Sequence, residues 1–444
     1  MRSSSIAPFV SLCLWLVACD WTDSRRLYPD AGRPPDAPPP DGVIIVPPDA
    51  MIPPDAMIPP DAPSVAATIH ITSGVAPLLV VFRDGLGAPW QPATIRTATR
   101  FDAVVHGPYI VTTVCALPFL DTGFDEILTT QSAGTPDDPR DLSLCEVPTS
   151  HHQINGSMVQ PGFVHLGDEA AFSTTPNWSF QLTEPSGIFD LIATSSDAIA
   201  ARRDQLINSD LTLQLIDMTI EGKPLTAISF TAPNAAPGET TQVSVGLLTP
   251  HNPNIPARIF IGPLSPAKAA PDSSLIASDV QSASVRGFSG PAFRALRRPI
   301  RVGGDTVYPL PPPLGGVQFS VDAGTISAGW TSLPDLDFLF VSIAGGAAGG
   351  VTPVNYGLDM TSRFVAATGI RRIAIDTAIE GFRPEWTIDF TQSYNRDLTA
   401  QKGTELGTLT TSEFNETIDP PMMAGKAARD RRPNPLVLPR LARP

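Results

Sequence analysis

From residue 64 to residue 418 the chain is a succession of short runs in which apolar and polar residues alternate. Gly, Pro, Asn and Asp bound each run. Alternation of period two puts one set of side chains on a buried face and the other in water, which is the signature of half-buried strands. The clearest early runs are Thr68–Thr72, Phe101–Val105, Tyr109–Cys115, Trp178–Leu182, Ile188–Thr194 and Leu211–Met218. Later ones are Thr241–Leu248, Ala257–Gly262, Gly316–Val321, Phe338–Ala344, Arg371–Thr377 and Glu385–Phe390. No stretch offers more than two turns of helical periodicity. Many short strands between turn signals predict an all-β chain of consecutive antiparallel β-sandwich modules rather than a parallel α/β sheet. Composition shifts place the modules at 64–147, 148–225, 226–305 and 306–418.

The residues before 64 have a different texture. The sequence holds 49 Pro in 444 residues, about twice the usual share, so part of it is expected to be extended linker. In 19–63 the tetrapeptide PPDA begins at Pro34, Pro47, Pro53 and Pro59. Proline removes an N–H donor and fixes φ, which favours polyproline II over helix or sheet. At ~3.1 Å per residue, residues 20–63 reach about 130 Å when fully extended. Eight Asp against three Arg in this stretch add self-repulsion. The expectation is a disordered, Pro-rich tether, in which the apolar pairs Met51-Ile52 and Met57-Ile58 have no explanation. A second disordered segment, basic and Pro-rich, is expected at 419–444. The chain as a whole has Lys+Arg 30 against Asp+Glu 44, and so lacks the basic field that nucleic acid would require.

At the start of the chain, Arg2 precedes an apolar stretch from Ile6 to Ala18, too short to span a bilayer as a helix. It ends in Leu16-Val17-Ala18-Cys19, which resembles the lipobox of bacterial lipoproteins. The resemblance implies that residues 1–18 are a signal peptide, that cleavage precedes Cys19, and that the Cys19 thiol and amine carry acyl chains. Several chains at ~0.8 kcal/mol per buried methylene hold a protein stably at a membrane, as one chain does not. An ordinary secretory signal with a chance cysteine is the alternative.

Two stretches of the body repeat a pattern. In FDAVVHGPYIVTTVC, from Phe101, and FQLTEPSGIFDLIATS, from Phe180, a strand is followed by a Gly-containing turn and then by an aromatic residue opening a second strand. This is similar to the carboxypeptidase-regulatory and transthyretin-like (prealbumin-like) modules, which implies an Ig-like sandwich over 64–225 and carries over no catalytic residue. The stretch ISAGWTSLPDLDFLFVSI, from Ile326, resembles the second and third strands of a fibronectin type III module. The layout of lipobox, Pro/Asp tether and β modules resembles that of surface lipoproteins of Gram-negative soil bacteria.

Cysteine usage fits export. The lipobox resemblance implies that Cys13 leaves with the signal and that Cys19 is lipidated, so Cys115 and Cys145 remain. Both end strand-like runs, and an oxidising compartment allows them to pair. Two buried free thiols are the other possibility.

Motifs for chemistry are sparse. GFSGP at Gly287–Pro291 lacks the spacing of a nucleophile elbow, and there is no HExxH, CxxC, P-loop or GxGxxG. His151, His152 and His165 are the only local histidine group, but adjacent side chains on a strand face opposite ways, so structural roles are expected. Asp121, Asp125, Glu126, Asp137, Asp138 and Asp141 lie between the two cysteines in no EF-hand order, and read as a solvated acidic loop. No metal or cofactor is expected. Strand parity puts Trp178, Trp330 and Trp386 in the core. Trp90, in the turn-rich GLGAPWQP, is the one tryptophan of the body expected to be open to a ligand.

These features lead to an expected exported protein, lipid-anchored to the bacterial cell envelope at the outer membrane or the periplasmic face of the inner membrane. Its expected role is non-catalytic binding or scaffolding of an envelope protein or polysaccharide. The alternative is a hydrolase, or the accessory subunit of an envelope enzyme acting on polysaccharide, because glycosidase carboxylates need no local motif.

Overall fold

A computed structural model describes residues 66–419, apart from 119–124, 146–151, 168, 174–175, 183–185, 323–324, 348–351 and 405–406. The chain is an all-β protein of several mostly antiparallel sheets, with one short α-helix among the described residues, at Ser362–Thr368. The alternation that predicts strands is the alternation that buries them. In Phe338–Gly346, Leu339, Val341 and Ile343 are buried while Phe338, Phe340 and Ser342 are half-exposed. Each fully buried aliphatic side chain stabilises the fold by roughly 1.5–3 kcal/mol relative to an exposed one.

The largest sheet has 12 strands. Its order runs Asn252–Gly262, Thr240–Thr249, Val280–Ser289, Ala292–Pro299, Leu409–Ile418, Tyr394–Gly403 and Phe338–Gly346. It continues through Pro353–Thr361, Asp125–Gly134, Tyr109–Pro118, Leu79–Asp84 and Gln91–Pro92. The pairing of Pro353–Thr361 with Asp125–Gly134 is parallel, from Val354 opposite Ile127 to Met360 opposite Ala133. Strands of the segments 64–147, 226–305 and 306–418 thus share one ladder, with hydrogen bonds crossing at this parallel pair and between Ala292–Pro299 and Leu409–Ile418.

Smaller sheets cover this ladder. Gln318–Asp322, Thr325–Gly329 and Arg372–Asp376 pack Ile326, Ala328, Ile373 and Ile375 against Val114, Leu339, Val341, Tyr356 and Leu358. Thr94–Thr97, Arg100–Val105, Ala67–Ser73 and Leu142–Leu144 cover Phe82, Tyr109 and Val111. Segment 148–225 forms its own two-layer unit. The sheet Glu169–Ser173, Gly162–Leu166, Gly187–Thr194, Ala198–Ile207 and Lys223–Pro224 faces the sheet Asn177–Leu182, His152–Ser157 and Leu211–Thr212. Val164, Leu166, Phe189 and Leu191 from the first meet Ile154, Met158, Trp178 and Leu182 from the second.

Two expected strands are shorter or absent. Leu211–Met218 forms a regular strand only at Leu211–Thr212, with one isolated bridge further on between Ile216 and Met158. Beyond Thr212, the Arg202 guanidinium donates to the carbonyls of Gln214 (2.9 Å) and Leu215 (2.6 Å), supplying the backbone with partners other than a ladder. Glu385–Phe390 opens in a 3-10 turn at Pro384–Trp386, and the Asp389 carboxylate then accepts from the Thr391 amide (3.0 Å), closing a turn. Trp386 is still buried, as are Trp178 and Trp330, although strand parity is not what buries it.

Candidate functional site

An open, concave surface lies on the sheet of Asn177–Leu182, His152–Ser157 and Leu211–Thr212. Cross-strand register brings Asn177 opposite Ser157, Ser179 opposite Asn155, and Thr212 beside Asn155. These residues occupy alternate positions, so all point away from the core that Ile154, Trp178 and Leu182 fill from the other face. An open concavity of about 350 Å³ is lined by Asn155, Gly156, Ser157, Asn177, Trp178, Ser179 and Thr212. Every lining side chain is uncharged.

Hydrogen bonds fix the geometry of this face. Gln153 Nε2 donates to Ser179 Oγ (2.5 Å), and Ser179 Oγ donates to Asn155 Oδ1 (2.9 Å). Gly156 is required beneath it, because a Cβ there would stand 2.1 Å from Cζ2 of Trp178. Trp178 is 5 % exposed, stacks on Phe180 at 5.3 Å between ring centroids, and buries an indole Nε1–H that has no acceptor among the described residues. The sequence shows these polar residues only as the outward half of two strands. That is also what an ordinary solvated face looks like, so register was needed to reveal a charge-free patch.

A second polar cluster joins the 148–225 unit to the main ladder. Asp190, Asp204 and His251 are the one group of metal-ligating side chains among the described residues whose ligand atoms lie within 4.8 Å of one another. The buried Asp190 already accepts from the Asp204 amide (3.1 Å) and from the Arg203 guanidinium (3.2 Å). Arg203 also binds Asp279 (2.6 Å), and Asn252 ties the amides of Gly167 (3.1 Å) and Asp190 (3.2 Å). A guanidinium against the deepest carboxylate repels a cation, so the arrangement works as a hydrogen-bonded joint between layers.

The residues singled out in the sequence are dispersed. Cys19 and His151 lie outside the described residues, as does Asp121. Cys115 and Cys145 are joined, with Cα atoms 6.0 Å apart. Trp90 is half-buried at the far edge of the main ladder, where its Nε1–H donates to Asp376 (3.1 Å) and the Arg83 guanidinium covers its ring at 4.8 Å. His152 meets Ser186 Oγ at 3.1 Å, whereas His165 is buried in the next layer and its Nε2 accepts from the Arg258 amide (3.0 Å). Burial, with the Arg258 charge adding to it, pushes the His165 pKa down to about 3.

The acidic run does not converge. Glu126 is buried in a strand beside the Asn355 amide, while Asp137 and Asp138 lie on the surface near Arg363. Burial pushes the Asp359 carboxyl above its usual range, opposed by Arg140 at 3.2 Å and by the Ser132 hydroxyl.

No protein-family model matches the chain, and no curated protein matches it. Among the described residues no helix is long and apolar enough to cross a membrane.

Proposed function

We propose that the chain is an exported protein held at the bacterial envelope by lipid on Cys19, and that it works by binding rather than by turnover. The observation that carries the binding role is the concavity on the 148–225 unit. Its lining is uncharged, Ser179 and Asn155 within it are held by one another, and it sits on a sheet rather than on a mobile loop. Leu16-Val17-Ala18-Cys19 and the Pro/Asp tether support the address, and the Cys115–Cys145 pair is compatible with an oxidising compartment. The tether serves a binding protein by reach, carrying the folded body away from the membrane surface.

Two measurements on the full chain in a Gram-negative host test this role. Cys19→Ser is expected to abolish partitioning into the detergent phase and to leave the signal uncleaved or the protein released. Unchanged partitioning and processing would remove the anchor. Cross-linking in intact envelopes is expected to trap a discrete partner, and its absence would remove the binding role.

A further inference from the structure

Resting on that binding role, we infer that the uncharged face of Asn155, Ser157, Asn177, Ser179 and Thr212 takes a neutral, hydroxyl-rich glycan chain. Two observations point to this chemistry. The protein carries a net charge of −14, yet no ionisable group lines the concavity. A charged ligand entering it would lose water without gaining a counter-charge, which is costly. Side-chain amides and hydroxyls each donate and accept, as the hydroxyls of a sugar do, so the two surfaces can satisfy one another in full.

The second observation is which groups remain for a ligand. The Ser179 hydroxyl and Asn155 Oδ1 are used within the face. Asn155 Nδ2 and the hydroxyls of Ser157 and Thr212 have no side-chain partner among the described residues. They lie on two adjacent strands, His152–Ser157 and Leu211–Thr212, about 4.8 Å apart, so they meet an extended polymer at successive points.

A peptide is the competing occupant, and the geometry disfavours it. The concavity lies over the face of the sheet, whose central strand His152–Ser157 is paired on both sides. An added peptide strand needs pockets for alternate side chains as well as an edge, and the small polar side chains of this face offer no such pockets.

Affinity electrophoresis of the full-length protein in detergent tests the assignment. The gels contain dextran, mannan or a soluble β-glucan, with polygalacturonate as the charged comparison. At least one neutral glycan is expected to retard the protein, and polygalacturonate is not. Thr212→Arg and Ser157→Glu put a charge on the face from half-exposed or exposed positions, and each is expected to weaken retardation roughly tenfold or more. Ser209→Arg, exposed and outside the lining, is expected to leave it unchanged. Thermal melts confirm that each variant is folded.

Retardation by none of the neutral glycans, equal retardation by polygalacturonate, or unchanged binding in both folded variants would overturn the glycan assignment. So would displacement by an uncharged peptide. If cross-linking still traps an envelope partner in that case, the binding role stands and only its ligand falls. If neither is seen, both fall.

Discussion

Acidification should destabilise this protein through one buried imidazole. His165 lies between the 148–225 unit and the main ladder, 6 % exposed, with its Nε2 accepting from the Arg258 backbone amide at 3.0 Å. That bond requires the neutral ring, and the Arg258 guanidinium adds a like charge. Burial first and that charge second lower its pKa from 6.5 to about 3. In the unfolded chain the ring takes up a proton below about pH 6.5, whereas in the folded chain it stays neutral down to about pH 3. The unfolded state therefore binds more protons across this window, and stability falls as the pH falls through it. At pH 5 the native ring is still neutral, so the loss is set by how far pH 5 lies below the unfolded value. At 1.36 kcal/mol per pH unit, ~1.5 units correspond to a loss of about 2 kcal/mol relative to pH 7.5.

Urea unfolding of the protein and of His165→Gln at pH 7.5 and pH 5.0, with the disulfide intact, measures this directly. Glutamine keeps an acceptor for the Arg258 amide but does not titrate. Other groups, including the surface pairs His70–Asp102 and His106–Asp84, are common to both proteins and cancel in the difference. The parent is expected to lose about 2 kcal/mol more than the variant between the two pH values. Equal losses would show that the ring titrates alike in the folded and unfolded states, and would refute the reasoning.

Other outcomes follow from single contacts. Gly156→Ala drives a Cβ to within 2.1 Å of the Trp178 ring and should cost roughly 1–3 kcal/mol, read as a shift in the urea midpoint; an unchanged midpoint would show that the ring has room to move. Arg203→Leu strands the carboxylates of Asp190 and Asp279, 1 % and 0 % exposed at the side chain, and should cost roughly 3–5 kcal/mol in the same assay. Stability within 1 kcal/mol of the parent, by the usual span for surface changes, would mean the joint is solvated rather than buried. Replacing both Cys115 and Cys145 by Ala opens a loop with a sequence separation of 30 and should cost roughly 3–4 kcal/mol. Alkylation of both thiols in the native protein without reductant would show the bond is not formed.

Period-two alternation was legible without coordinates, because a strand with one face in the core and one in water must alternate. It therefore determined the all-β class, the positions of most strands and the burial of Trp178 and Trp330. The same local signal misled at Leu211–Met218 and Glu385–Phe390. There the backbone found other partners, the Arg202 guanidinium in one case and the Asp389 turn in the other. Trp90 looked open from its turn-rich surroundings, and a carboxylate 286 residues away holds it. Alternation says which residues share a face, but not which strands are neighbours. Only the tertiary structure decided that Pro353–Thr361 lies parallel to Asp125–Gly134, and that Asn155, Ser157, Asn177, Ser179 and Thr212 meet on one uncharged surface. Strand pairing is a non-local choice, settled by the burial of whole faces against one another, and no short window of sequence contains both sides of that choice.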